Sequence, residues 1–434
     1  MRNALLIAYY FSPSADVGAK RAEGFFRYLP ECGYRPIILT VKDGNYLTVP
    51  GSTVEERPDV VRVAEKRWPA RFHSGTGTIR TGVRRPQGRV SQVVKRCFRE
   101  VFYIPDGCRG FYRSACRGAS EIVRQQAIDV IFTTSGPYTL LRIGHCLTAR
   151  TGIPWVADFR DLWVENHFGY PYSRARRVLD SFLQRRWLSN ARRITTATEG
   201  FKAGLEASGY GSVPIDCVYG GYLETPRGVI QDDHEDQKTL RVCFTGKLYE
   251  HPRHSVEPLF KAIDVLRNTR PEVFRGLQVD FYGIVNSDFA VQLDRFQLHG
   301  VVRFHGLVSR EEATQVQAAS DVLFLLLPDS PEYGTVVASK TFDYMAARKP
   351  LLAVVPKGGE NARLLDLVRI GRVFSPTETA DIAAYLSELT AIKRQLGELG
   401  PVGDVEMIET FSYRRLASRL AHIFDAAIQS SGLG

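Results

Sequence analysis

The order of apolar and polar residues predicts a chain of alternating buried strands and amphipathic helices. Short apolar runs bounded by glycine, proline or polar residues have the length of buried strands. Between them, apolar residues recur every three or four positions, as on one face of a helix. In the first half, the predicted strands are 4–11, 35–41, 129–134, 153–159 and 193–198, and the predicted helices are 19–32, 138–150 and 174–189.

The second half repeats this pattern after a break. Residues 224–238 are acidic and contain proline and glycine, as in a linker between domains. Beyond them, the predicted strands are 239–245, 277–282, 301–305, 321–327 and 351–355, and the predicted helices are 311–319, 340–348 and 405–429. Strands that alternate with helices form parallel sheets. We therefore predict an α/β protein with one parallel sheet in each half.

The predicted helix 174–189 is rich in arginine and has one apolar face. We expect this face to be buried; it is formed by Val178, Leu179, Phe182, Leu183 and Trp187. A second basic amphipathic helix is predicted over 89–102. Such a helix either packs on its own domain or lies on a membrane surface, and the sequence leaves both possibilities open.

The polar loop that leads into helix 340–348 is a candidate phosphate site. Ser339 and Lys340 stand where the helix begins. Free N–H groups and the positive end of the helix dipole favour an anion there, and the Lys340 ammonium adds a full charge. Asp343 follows one turn later as an acceptor for ribose hydroxyls. Together these groups suit a nucleotide-sugar, which presents a base, a ribose and a diphosphate.

A second cationic group follows the first strand of the second half. Gly246 and Lys247 come directly after strand 239–245, and Arg253 lies six residues beyond Lys247. Fixed cations of this kind stabilise a departing diphosphate. An Asp-x-Asp motif, which would suggest a metal in that role, is absent from the sequence. We therefore expect fixed cations rather than a metal.

Further candidates lie at strand ends in the first half. Gly18 and Arg21 belong to the loop and helix after the first strand. Asp158, Arg160 and Asp161 are at the end of strand 153–159, and open α/β sheets bind ligands outside the carboxyl ends of their strands. For this charged group we favour a role in binding. For Arg21, a role at the site and an ordinary exposed arginine on a helix are equally good interpretations.

Several of these segments resemble the retaining glycosyltransferases of family 4, which have the two-domain GT-B fold. The family pattern K-x-F/Y-E-Y-M-A-A-G-K-P is similar to Lys340-Thr-Phe-Asp-Tyr-Met-Ala-Ala-Arg-Lys-Pro350. The loop Val17-Gly-Ala-Lys-Arg21 resembles the G-V-G-A-x-R loop, and the run from Gly152 to Trp163 is the most specific match in the first half. The chain departs from the family where Asp343 replaces Glu, where Arg160 replaces a common His, and where Thr335 replaces a second Glu, with Glu332 as the nearest carboxylate.

The resemblance implies two Rossmann-like parallel-sheet domains facing across a cleft. We expect an acceptor-binding domain over 1–228 with a basic insertion at about 44–118, and a donor-binding domain over 229–400. The segment 401–434 is expected to form a helix that crosses back to the first domain.

The resemblance also implies an activity, namely transfer of a sugar from a UDP- or GDP-sugar to an acceptor hydroxyl with retention at the anomeric carbon. The acceptor would be a glycan, a lipid-linked molecule or a small molecule, and the setting bacterial cell-surface polysaccharide or glycolipid synthesis. No cofactor is expected beyond the nucleotide-sugar co-substrate. Asp158, Arg160 and Asp161 would orient the substrates. The donor would be held by Gly18, Arg21, Gly246, Lys247, Arg253, Ser339, Lys340 and Asp343.

The distribution of positive charge suggests a further partner. The chain of 434 residues has a net charge of +10, and the segment 62–124 holds fifteen Lys/Arg against four Asp/Glu. This segment is either an ordinary solvated surface or a site for an anionic inner-membrane face. The sequence lacks an interleaved aromatic platform or a known module for nucleic acid. We therefore do not expect nucleic acid as a partner.

The remaining features favour a cytoplasmic protein, peripheral at most on the inner membrane. Seven cysteines lack C-x-x-C or zinc spacing, as in a reducing compartment. No apolar run reaches the roughly 20 residues of a spanning helix. A signal peptide at the N-terminus is the less favoured alternative to a first strand. Alternative functions are a nucleotide-sugar epimerase, or a degenerate GT-B scaffold that binds nucleotide or assists polysaccharide assembly.

Overall fold

Each half of the chain forms its own parallel sheet. In this computed structural model the described residues are 1–14, 16–44, 56–66, 100–166, 172–224, 238–251 and 253–430. They divide into two units, one drawn from 1–220 and 413–434 and the other from 221–412. Within the described ranges, one sheet has seven strands and the other six, and all the pairings are parallel. The predicted α/β fold with two Rossmann-like sheets is confirmed.

The first unit has the strand order β3-β2-β1-β4-β5-β6-β7. Its strands are β1 (Arg2–Ile7), β2 (Tyr34–Val41), β3 (Val60–Val63), β4 (Val130–Ser135), β5 (Trp155–Phe159), β6 (Arg193–Thr196) and β7 (Ile215–Cys217). Its helices up to residue 220 include α1 (Val17–Tyr28), α2 (Phe111–Gln125), α3 (Thr139–Thr151), α4 (Arg174–Leu188) and α5 (Glu199–Leu205). Central strands such as β4 are buried along their whole length, because helices cover both faces of a parallel sheet.

The second unit has the strand order β10-β9-β8-β11-β12-β13. Its strands are β8 (Leu240–Lys247), β9 (Leu277–Ile284), β10 (Val302–Gly306), β11 (Val322–Leu326), β12 (Leu351–Val354) and β13 (Gly371–Phe374). Its helices include α6 (Glu257–Thr269), α7 (Pro271–Arg275), α8 (Ser287–Phe296), α9 (Arg310–Ala319), α10 (Ser339–Ala347), α11 (Glu360–Val368), α12 (Thr379–Leu396) and α13 (Val405–Glu409). Phe244, Phe281 and Phe324 lie on neighbouring strands and pack together in its core.

The last helix, α14 (Tyr413–Gln429), returns to the first unit. Tyr413 packs edge-on against Phe25 of α1, with ring centroids 5.7 Å apart. Near its other end, Asp425 accepts a hydrogen bond from the Tyr34 hydroxyl at 2.6 Å and pairs with Arg2. The expected segment 401–434 is therefore divided, because 401–412, including α13, belong to the second unit.

The prediction for the buried face of α4 is confirmed for Trp187 and wrong for Val178, Leu179 and Phe182. Val178 and Phe182 are 70% and 60% exposed, and the helix instead buries Arg176, Asp180 and Gln184 together with Trp187. The reason is a buried ion pair: Arg176 Nε donates to Asp180 Oδ1 at 2.8 Å. Helical periodicity identifies an apolar face but does not show that a paired polar face is the buried one.

The segment 44–118 is described only in part. It contains β3, which pairs with β2 and was not predicted. Residues 89–99 of the expected helix 89–102 and most of the basic residues of 62–124 lie outside the described residues, whereas residues 100–102 are described and helical. Among the helices that are described, none is long and apolar enough to cross a membrane.

Candidate functional site

The loop before α10 is held by hydrogen bonds from the start of α11. Asn361 Nδ2 donates to the Val336 carbonyl at 2.6 Å, and its Oδ1 accepts from Thr341 Oγ1 at 2.7 Å. The Glu360 amide donates to the Gly334 carbonyl at 2.7 Å. These bonds fix the path of the loop, so the first turn of α10 has a defined position beside β11.

The first turn of α10 has features that favour an anion. The residue at its N-cap is Ala338, which offers no side chain to accept hydrogen bonds from the N–H groups of that turn. Ser339 and Lys340 are the first two residues of the helix, as expected. A phosphate at this position would satisfy N–H groups and the helix dipole together.

Lys340 is the most unusual residue in this unit. Its Nζ is buried and has no hydrogen-bond partner among the described residues. The Nζ atom lies 3.8 Å from the centroid of the Phe244 ring, whose face carries partial negative charge that attracts a cation. Burial lowers the pKa of Lys340 to about 7. A buried ammonium without an anionic partner is destabilising, so this group is suited to a ligand that supplies negative charge.

Two glycines make room for this lysine. Gly246 has φ +129°, and a Cβ on it would lie 3.0 Å from the Lys340 ammonium nitrogen. Its strand partner Gly283 has φ +126°, and a Cβ there would lie 1.9 Å from the Gly246 carbonyl oxygen. The ends of β8 and β9 can therefore approach each other and Lys340 only without side chains.

A buried histidine organises the loop that follows β8. His254 Nδ1 accepts a hydrogen bond from the Tyr249 amide at 2.8 Å, so Nε2 carries the proton and faces the Leu326 carbonyl at 3.3 Å. Burial, and secondly the Lys340 charge, lower the pKa of His254 to about 4. His254 is therefore neutral near pH 7. It connects this loop to the end of β11.

The other predicted cations are exposed: Lys247 is the last residue of β8, and Arg253 lies on the loop that follows. Lys247 Nζ lies 5.3 Å from the Tyr249 ring centroid. Arg253 Nη1 donates to the Asp329 carbonyl at 3.1 Å. The structure thus places one exposed cation where this loop begins and another on the loop itself.

The two carboxylates considered from the sequence for the second half, Asp343 and Glu332, lie in different surroundings. Asp343 is half-buried on α10, one turn beyond Lys340. Glu332 is exposed on a single turn of 3-10 helix, Pro331–Tyr333, and the Ser330 hydroxyl lowers its pKa. Thr335 lies in the loop between that turn and α10.

In the first unit, Asp158 and Arg21 form a buried pair. Arg21 donates to both Asp158 oxygens, from Nε at 2.8 Å and from Nη2 at 2.7 Å. The hydroxyls of Thr134 and Thr195 also donate to Asp158, each at 2.7 Å. Asp158 is fully buried and Arg21 is 3% exposed.

This pair corrects the roles expected for both residues. Four hydrogen bonds saturate the Asp158 carboxylate, and the remaining Arg21 nitrogen, Nη1, donates to the Tyr219 carbonyl at 2.9 Å. Neither side chain is available to a substrate. They connect α1 to β5 and to the chain beyond β7, which is an architectural role.

Gly18, Arg160 and Asp161 meet at the end of β5. Arg160 Nε donates to Asp161 Oδ2 at 3.1 Å, and its guanidinium faces the Tyr10 ring at 5.5 Å. A Cβ on Gly18 would lie 1.7 Å from Arg160 Nη1. The observed position of the Arg160 guanidinium therefore requires a glycine at position 18. Arg160 is 20% and Asp161 49% exposed by side chain, so both can reach a ligand.

The sequence missed the residues that support Lys340. Phe244, His254 and Asn361 were not singled out, because each acts through a contact with residues far along the chain. Among the described residues, no group of three or more His, Cys, Asp or Glu side chains could hold a metal ion.

Comparison with known proteins finds glycosyltransferases among the similar sequences. Residues 18–221 match the model of the glycosyl transferase 4-like domain. The probable glycosyltransferase WbjE of Pseudomonas aeruginosa is 34% identical over 101 residues, which are 23% of this chain and 24% of that protein. The aligned part therefore spans about a quarter of this relative. The chain is therefore similar to the glycosyl transferase 4-like domain over residues 18–221.

Solved structures agree on the architecture. Sucrose-phosphate synthase from Thermosynechococcus elongatus superposes with a TM-score of 0.64, at 16% identity and with full coverage of both chains. A glycosyltransferase from Rickettsia africae gives 0.58 at 11% identity, covering 99% of each chain. An α,α-trehalose-phosphate synthase from Burkholderia xenovorans, in complex with glucose-6-phosphate, gives 0.57 at 13% identity, covering 99% of this chain and all of that one. The chain therefore shares the fold of these structures, with the two Rossmann-like parallel-sheet domains expected for GT-B.

Proposed function

We propose that this protein transfers a sugar from a nucleotide-sugar to an acceptor hydroxyl. The observation that carries the proposal is the buried Lys340 ammonium, which has no partner among the described residues and lies beside the first turn of α10. A diphosphate would supply the missing negative charge and accept hydrogen bonds from that turn. A structure similar in fold, from E. coli, is described as bound with UDP-2-fluoro glucose, which supports a nucleotide-sugar as the ligand class.

In this reaction the bond between the anomeric carbon and the phosphate oxygen breaks, and a bond to the acceptor oxygen forms. Lys340, with Lys247 and Arg253, stabilises the charge that develops on the leaving diphosphate. We propose that the acceptor proton passes to the leaving phosphate oxygen on the same face of the sugar, which gives retention without a protein nucleophile. No metal enters this scheme.

We assign the remaining candidates more limited roles. Asp343 binds the ribose hydroxyls of the donor, and the exposed pair Arg160 and Asp161 orients a substrate. Gly18 in the first turn of α1 and Gly246 near the end of β8 allow close packing against Arg160 and Lys340. The acceptor in this proposal is a glycan, a lipid-linked molecule or a small molecule, and the setting is bacterial surface polysaccharide or glycolipid synthesis.

The test is isothermal titration with a panel of UDP-, GDP- and ADP-sugars, using wild type and Lys340→Ala. We expect one donor class to bind, and Lys340→Ala to weaken it by about 100-fold, as for a lost charged hydrogen bond of 1.5–3 kcal/mol or more. Lys261→Ala, on an exposed face of α6, is the matched control and should bind normally.

Product analysis then separates the alternatives. A retaining transferase forms a glycoside whose anomeric configuration matches that of the donor, as read by proton NMR. Conversion of the donor without any acceptor would indicate an epimerase instead. Absence of binding to every donor at millimolar concentration would contradict the proposal and favour the degenerate scaffold.

A further inference from the structure

The outward face of α4 is an apolar patch that the proposed reaction does not use. Val178, Leu179 and Phe182 are 70%, 39% and 60% exposed. They are related by steps of three and four residues, so they lie side by side on the helix. Single exposed apolar residues are ordinary, whereas adjacent ones mark a surface that contacts another apolar phase.

Arginines surround this patch. Positions 174, 178, 182 and 186 form one row of i,i+4 neighbours that begins and ends with arginine. The exposed arginines of the helix are Arg174, Arg177, Arg185 and Arg186. The acidic residue of the helix, Asp180, is fully buried against Arg176 and does not offset their charge at the surface.

The orientation of α4 is fixed by its buried side. The Arg176 guanidinium donates to the carbonyls of Glu100 and Tyr103, each at 2.6 Å. Trp187 stacks on Trp163 with ring centroids 5.5 Å apart. The helix therefore cannot turn its apolar side inward without breaking a buried ion pair and these contacts.

The neighbouring segment enlarges the apolar area. Val101 is 61% and Phe102 39% exposed. Both lie in the chain between Glu100 and Tyr103, whose carbonyls accept hydrogen bonds from Arg176, so they adjoin the first turns of α4. We call the combined surface the α4 face; it consists of Val101, Phe102, Val178, Leu179, Phe182 and the four exposed arginines.

We propose that the α4 face docks the protein on a membrane surface that contains anionic lipids. The apolar side chains would enter the boundary between headgroups and acyl chains, while the guanidinium groups bind lipid phosphates. The aliphatic Val178 and Leu179 offer no stacking surface to nucleic-acid bases, and a second copy would place like charges together. This proposal does not depend on the transfer reaction.

The test is flotation of the full-length protein with vesicles. Phosphatidylcholine vesicles containing a minor fraction of phosphatidylglycerol should bind wild type, with binding that weakens as salt increases, and pure phosphatidylcholine vesicles should not. Phe182→Asp should reduce binding by at least about tenfold. The double change Arg174→Ser with Arg186→Ser should reduce it by about 25-fold, since each basic residue near an anionic surface contributes about fivefold.

Matched controls lie on other surfaces. Val291→Asp changes a valine that is 61% exposed on α8, and Arg270→Ser with Arg419→Ser removes two exposed arginines elsewhere. Both should bind vesicles like wild type. All variants should keep the wild-type thermal midpoint because the changed side chains are exposed. Should Phe182→Asp misfold, the arginine pair tests the face independently.

Three results would overturn the proposal. The first is absence of binding to anionic vesicles, or equal binding to neutral ones. The second is vesicle binding that neither set of α4 variants reduces. The third is self-association or DNA binding that Phe182→Asp abolishes while vesicle binding is absent.

Discussion

Donor binding should be accompanied by uptake of a proton at Lys340. In the free protein, burial lowers the pKa of this lysine to about 7. A diphosphate beside the ammonium favours the charged form and raises the pKa again. Lys340 therefore takes up a proton on donor binding when the pH lies above the pKa that this lysine has in the free protein. The diphosphate of a nucleotide-sugar has no ionisation of its own near neutral pH.

The magnitude follows from the fraction already protonated. With a pKa of about 7, roughly 0.9 of the lysine is neutral at pH 8 and roughly 0.1 at pH 6. Binding should therefore take up about 0.9 proton at pH 8 and about 0.1 at pH 6. By linkage, affinity should be nearly constant below pH 6 and fall towards tenfold per pH unit above pH 8. His254, with a pKa of about 4, stays neutral throughout and does not contribute.

The assay is isothermal titration in two buffers of different ionisation enthalpy, at pH 6 and at pH 8. The difference between the observed enthalpies, divided by the difference between the buffer enthalpies, gives the number of protons. Lys247→Met removes the exposed lysine at the end of β8. This variant should bind the donor more weakly but take up the same number of protons. Binding without proton uptake at pH 8, or an affinity that is flat from pH 6 to 9, would refute the reasoning.

Further predictions concern stability and packing. Lys340→Met should stabilise the free protein at pH 7 by up to about 5 kcal/mol in chemical denaturation, because a pKa lowered from 10.5 to about 7 corresponds to about 1.4 kcal/mol per pH unit. This gain should shrink as the pH rises from 7 to 10.5, because the lysine of the unfolded chain then also loses its proton. An equal gain in stability at every pH would contradict the assignment. Asp158→Ala should destabilise the protein by about 3–5 kcal/mol in urea, since it leaves a buried arginine unpaired. Gly18→Ala should displace the Arg160 guanidinium with little loss of stability, and in an Arg160→Ala background it should have no further effect on product formation. Gly283→Ala should lower the thermal midpoint, because its Cβ would overlap a carbonyl oxygen 1.9 Å away at φ +126°; an unchanged midpoint would count against that packing.

The sequence determined most of the helices and strands and where the helix that carries Lys340 begins. Apolar runs of strand length alternate with helical patterns, and this order alone requires parallel sheets, which the structure has in both units. Ser339 and Lys340 were placed at a helix start from the loop that precedes them, and α10 begins at Ser339. These features are local, so a local pattern is enough to predict them.

Only the tertiary structure decided how the charged residues are used. Asp158 was expected at a ligand, but its partner Arg21 lies 137 positions away and encloses it in the core. On α4, the apolar side is exposed because Arg176 finds Asp180 and two backbone carbonyls on the other side. Whether a charge is buried depends on partners that are distant in sequence, since burial is tolerated only when they are present. Periodicity carries no information about those partners.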